Sequence, residues 1–226
     1  MPPGTVAIAG IRLDAVRASP VFTRLLGRLP GSDALAGAAS ILLAFDGRDL
    51  LLSARGNFSN PPAGFTAVAP GVVIAGPDAW VRAAVAQHRT RQSGAPALLA
   101  QVEPLAAAYP VWAAVQGGRT FPLAGNAANL NRLLRGTDHA TLAARFANGL
   151  ELIAAAVCPT DAGAAELEQS LRAMLTLAQA GSRANAEREF PFDAVRLSRR
   201  EQTVTVSLAL PDPAAARLLD SLLPPR

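Results

Sequence analysis

Apolar residues recur along this chain with two periods, and the periods change in the same order in both halves. Thr5 to Ile11 is a short apolar run with the β-branched content of a buried strand. Ser19-Pro20 then supplies a capping hydroxyl and a first-turn proline, and Val21, Phe22, Leu25, Leu26 and Leu29 follow at helical spacing until Pro30-Gly31. Ser40 to Phe45 and Arg48 to Ala54 flank Asp46-Gly47, a strong hairpin signal because both residues tolerate tight-turn dihedrals. The turn-rich bridge 56–64 leads to a second hairpin, Phe65–Ala69 with Val72–Ala75. A helix opened by Asp78 carries Trp80, Val81, Ala84 and Val85. Residues 92–109 read as a connector in which Pro96 and Pro104 open two short helical pieces.

The second half repeats the series. Val111 to Val115 echoes the first strand, and Leu130-Asn131-Arg132-Leu133-Leu134 echoes Thr23-Arg24-Leu25-Leu26. Thr141–Phe146 and Leu150–Val157 flank Asn148-Gly149. Here the order gains an element: Thr160 to Gly181 is the strongest helix signal in the chain, with an N-cap threonine and an apolar stripe of Leu167, Leu171, Met174, Leu175 and Ala178. The polar stretch Ser182 to Glu189 reads as a loop, and Phe192–Leu197 with Thr203–Leu210 forms the last hairpin. Asp212-Pro213 opens a closing helix with Leu218, Leu219, Leu222 and Leu223.

These elements predict an α+β protein with an internally duplicated unit, β-α-β-β-[α]-β-β-α, a ferredoxin-like order with additions. Mainly antiparallel sheet is expected, with helices on one face and about eight strands in one sheet or two. Residues 1–91 form the first repeat, with one helix deleted, 92–109 the connector, and 110–226 the second repeat; the repeats are expected to pack as one body. Three stretches, VAIAGIRLDAVRASPVF, LLLSARGNF and AAELEQSLRAML, resemble uncharacterised, often exported, duplicated α+β proteins of GC-rich soil bacteria. The resemblance spans most of the chain and implies no known activity.

Composition narrows the chemistry. Half of the 226 residues are apolar and 17% are charged, which specifies a globular chain able to bury its own core. Every one of the 21 basic residues is arginine, the signature of a GC-rich coding bias. Schiff-base, phosphate-loop and general-base lysines are thereby excluded. Net charge is +4, so the high pI of ≈ 10.8 reflects few groups titrating in the alkaline range and no strong field. Cys158 is the single cysteine, which rules out an internal disulfide and fits the cytoplasm or an exported protein with its leader removed. No apolar run is long enough for a transmembrane segment.

Candidate chemistry is sparse. His88 and His139 are the two histidines, and neither belongs to a metal-ligand spacing. No metal and no cofactor is expected. Cys158, at a strand end before a helix, and His139 are the two residues a hydrolase or transferase would use, although a small buried side chain is the plainer reading of the cysteine. Gly117-Gly118-Arg119 follows a strand, where a backbone nest can hold an anion. Arg196, Arg199 and Arg200 cluster around the last hairpin, but strands of Ala, Val and Leu lack the stacking aromatics of a nucleic-acid surface. The leading expectation is a non-enzymatic module for protein interaction or self-association, as a homo-oligomer or with a protein partner. The alternative is a small-ligand binder using a cleft between the repeats, lined by Trp80, Trp112, Gly117, Gly118, Arg119 and Phe121.

Overall fold

The structure, a computed structural model, describes residues 1–2, 4–26, 32–90, 94–119, 128–183 and 191–222. Its strands are β1 (Ala7–Arg12), β2 (Ala38–Phe45), β3 (Leu50–Gly56), β4 (Thr66–Ala69) and β5 (Val72–Ala75), then β6 (Val111–Gln116), β7 (His139–Arg145), β8 (Leu150–Val157), β9 (Val195–Arg200) and β10 (Thr203–Leu210). The helices are α1 (Leu13–Val16), α2 (Pro20–Leu26), α3 (Asp78–Thr90), α4 (Pro96–Ala108), α5 (Ala128–Arg135), α6 (Asp161–Arg183) and α7 (Asp212–Leu222). The class is α+β, as the periodicities predict.

One antiparallel sheet holds all ten strands in the order β4-β5-β3-β2-β1-β6-β7-β8-β10-β9. Read outward from the central β1–β6 pair, each side has its third strand joined to its fifth and its fourth on the edge. The expectation of about eight strands is thus low by two, although the segments read one by one from the sequence, the β4–β5 hairpin included, correspond to all ten. Both hairpin turns form as their dipeptides predict. Gly47 and Gly149 sit at φ of +104° and +120°, and Asp46 Oδ1 accepts from the backbone N–H groups of Arg48 and Asp49, each at 2.8 Å.

Directly paired residues share a face, so register assigns every strand position to one of two sides. Ile8, Ala44, Leu51 and Ala114 point to one face, where they bury Leu98 and Val102 of α4, with Trp80 and Val81 of α3 against them. The opposite face carries Ile41, Ala54 and Val73 under α1 and α2. It also carries Ala144 and Leu208 under α7, and Val204 under α6. Helices therefore occupy both faces, where one was expected. A wide, apolar-on-both-sides sheet needs two covers.

Two helix predictions are corrected. Residues 96–108 form one helix with Pro104 inside it, in place of two pieces. The backbone bond lost at the proline is offset by burial of Leu98 and Val102 against the sheet. The helix predicted to stop at Gly181 runs to Arg183. Elsewhere the caps behave as read: the Phe22 N–H reaches Ser19 Oγ at 3.4 Å, and the Gly163 N–H reaches Thr160 Oγ1 at 3.0 Å. Pro30-Gly31, most of the Ser182–Glu189 stretch and Leu223 lie outside the described residues.

Candidate functional site: an apolar groove beneath α5 and α6

Two transverse rows of side chains on the Ala9 face form the floor of a groove. One row runs Leu43, Ala9, Ala113, Leu142, Ala154, Val206, each residue paired directly with the next. The neighbouring row runs Leu50, Phe45, Ala7, Val115, Ala140, Ala156, Val204. Leu133 and Leu134 of α5 and Leu167 and Leu171 of α6 supply the walls, and the cavity measures ≈ 590 Å³. Alanine on the middle strands leaves the space beneath the helices unfilled.

Among the described residues the lining contains no ionisable side chain. Of the two threonines in the lining, Thr141 lies in register with Ile8 on the other face, and the Thr137 hydroxyl is committed, donating to the Leu134 carbonyl at 2.8 Å. Such a surface offers dispersion and water exclusion and nothing directional. Two of the large apolar residues left exposed, Leu50 at 48% and Leu142 at 39%, belong to this groove. Leu50 stands at the β3 end of one row and Leu142 midway along the other.

The residues singled out from the sequence fall in three places. Trp80 and Trp112 come together, but in the α3/α4 layer on the opposite face, where the Trp112 ring lies over Gly10. Gly117 and Gly118 brace the α5 wall: their N–H groups donate to the carbonyls of Asp138 (2.8 Å) and Leu134 (3.0 Å). Both amides are thus satisfied within the chain and turned away from any anion. Arg119 is exposed beside this turn, and Phe121 lies outside the described residues. Alanines 7, 9, 113, 140, 154 and 156 were the missed signal, hidden in a chain whose alanine content reads as coding bias.

Cys158 closes β8 and is fully buried, its N–H donating to the Gln202 carbonyl at 2.9 Å. Burial, with the Asp138 charge adding to it, pushes the thiol pKa up, the opposite of nucleophile activation. His139 opens β7, paired with Gln116 on one side and Val157 on the other. A smaller cleft of ≈ 380 Å³ lies on the Ile8 side near Tyr109, Glu151 and Arg196. It is more polar, with Arg145 bonded to Glu151 at 3.3 Å and set 5.0 Å above the Tyr109 ring. Among the described residues no cluster of His, Cys, Asp and Glu could hold a metal ion, and no helix is long and apolar enough to cross a membrane.

No family model matches the chain, and no curated protein matches it. Among solved structures it is similar to crystal form I of TP0453, with a TM-score of 0.51 at 9% identity, covering 98% of this chain and 95% of that one. Crystal form IV of TP0453 gives a TM-score of 0.51 at 11% identity, covering 98% and 94%. At that identity the likeness is one of fold, and it runs along nearly the whole of both chains.

Proposed function

We propose that the protein binds a small apolar ligand in the groove between the sheet and helices α5 and α6. The observation that carries this reading is an uncharged cavity of ≈ 590 Å³ opening beside exposed Leu50 and Leu142. Ligand sites of roughly 300–1,000 Å³ lined mainly by apolar groups are the common form of small-molecule pocket. Leaving such a surface in water is unfavourable, and a ligand that covers it recovers that free energy. The site differs from the Trp80/Trp112 cleft expected from sequence, and the class of function is that of the alternative reading, in place of the interaction module that led it.

Self-association has less support. The sheet edges are β4, four residues with a shifted register, and β9, which carries Arg196, Arg199 and Arg200. Short, irregular or charged edges resist pairing with another chain. In the same reading the two halves are copies of one ancestral unit, supported by the matched strand order on either side of β1–β6.

Native mass spectrometry of protein purified gently from its own source, paired with thermal unfolding in the presence of apolar compounds, tests the function. A retained small mass that organic solvent removes is expected. Delipidated protein should then gain melting temperature when an apolar compound is added, because ligand that binds only the folded state stabilises it by mass action. A bare protein whose melting temperature no apolar compound shifts would sink the reading.

A further inference from the structure

The groove floor is not uniformly shallow. Ala7 and Ala9 on β1, Ala113 on β6, Ala140 on β7, and Ala154 and Ala156 on β8 are its smallest lining residues. Val115 and Leu142 take the alternate places in the two rows. The alanines thus leave a zigzag track running across the strands. Leu43 and Phe45 on β2 bound one end of it, and Val204 and Val206 on β10 bound the other.

The track is long and narrow. Between those walls the alanine-bearing strands β1, β6, β7 and β8 span three inter-strand steps, about 14 Å at ~4.8 Å each. Across the two rows the separation is that of residues two apart on a strand, about 7 Å. A hydrocarbon zigzag advances ~1.3 Å for each C–C bond of ~1.52 Å. The length therefore suits a chain on the order of 11 carbons, and the width suits one chain lying flat. A rigid polycycle would need a floor equally deep in both directions.

Resting on the reading of the groove as a ligand site, we infer that its ligand is a single long, unbranched hydrocarbon chain, and that the alanine track sets the chain length it accepts. With no charged group among the described lining residues, the polar end of the ligand is not recognised inside. It stays in water, since burying it without a partner is costly. Substituting a larger apolar residue on the track shortens the available length without burying a polar group or breaking a hydrogen bond.

The test is displacement of an anilinonaphthalene sulfonate dye from delipidated full-length protein by straight-chain monoacylglycerols and fatty acids. With chains of about eight to about twenty carbons, affinity should rise by about fourfold per methylene, the fold-change implied by ~0.8 kcal/mol for each buried CH₂. The gain should stop at about eleven carbons, on the order of the track length, and do so for both head groups. Ala113→Leu and Ala154→Leu, two variants so that poor folding of one leaves the other, should each move that stopping point to shorter chains. A stopping point unmoved in both folded variants would overturn the inference while leaving the groove as the ligand site, and so would a sterol that displaces dye better than every chain. Wild-type protein that binds neither dye nor any chain would remove the ligand function itself.

Discussion

At the scale of single residues, this protein depends on where it places nothing. Gly10 lies on the Ile8 face directly beneath Trp112, its partner across the β1–β6 pair. A Cβ built on Gly10 falls inside the indole ring. Glycine is required here by close approach, with no positive φ involved. Gly10→Ala is therefore expected to push Trp112 out of its seat against α4. A destabilisation of about 1–3 kcal/mol follows from overpacking of this kind. It should appear as a lower melting temperature together with a shift in tryptophan emission. An unchanged emission spectrum would mean that the ring does not rest on Gly10. The same economy operates on the other face, where alanine methyls leave the groove open. Cys158 lies on the groove side but is packed with Ala164, Leu167 and Val204 at the α6 wall, and burial holds its thiol protonated where catalysis would need a thiolate.

At the scale of elements, α6 shows how a wall of the groove is secured. Its apolar side meets the sheet through Ala164 and Leu167, packed on Val204. On its polar side Glu168 bonds Arg172 at 2.7 Å, one turn along the helix, and Arg199 of β9 at 3.1 Å. Bonding to Arg172 first, and then to Arg199, holds the Glu168 pKa below the ordinary carboxylate value. A carboxyl whose folded-state pKa is lowered stabilises the fold above its unfolded pKa, and loses that contribution as pH falls through the folded value. The melting-temperature gap between wild type and Glu168→Gln should therefore be present near pH 7 and close near pH 3, below the ~4.3 of an ordinary glutamate. Added salt should narrow the gap at neutral pH, because the pair is solvent-exposed. A gap that persists unchanged into acid would show that the ion pairs do not tether α6. Much of this element was legible in the sequence: Thr160 as cap, the Leu167/Leu171 stripe and the approximate end are local signals. Its tie to β9 was not, because residues 31 apart meet only when the last hairpin folds back beside the helix. The groove was hidden for a related reason. Alanine at alternate strand positions reads as filler until register aligns Ala9, Ala113 and Ala154 in one row. Which face a helix covers is likewise undetermined by its own periodicity, as α3 and α7 demonstrate by packing on opposite sides of the sheet.

At the scale of the whole molecule, the two halves are joined too intimately to behave as separate domains. β1 and β6 pair along five positions at the middle of the sheet, so neither half has its own complete edge there. The core beneath α4 mixes Ile8, Ala44 and Leu51 from the first half with Ala114 from the second. On the other face Val21 of α2 packs with Ala215 and Leu218 of α7, and Phe22 meets Phe146 edge-on with ring centroids 5.5 Å apart. Unfolding either half would strip apolar cover from the other on both faces at once, and would leave a long unpaired strand at the break. Cooperativity follows from this geometry: partly folded states with one half intact expose surface that both halves bury together. Scanning calorimetry of the full chain should accordingly show one transition, with calorimetric and van't Hoff enthalpies equal. Occupying the groove should raise that single transition as a unit, since the floor draws on β1 and β2 as well as β6, β7, β8 and β10. Two resolved transitions, with ligand shifting only one of them, would show that the β1–β6 seam is weaker than its shared core implies. The groove would then belong to one half alone, and the other half would merely border it.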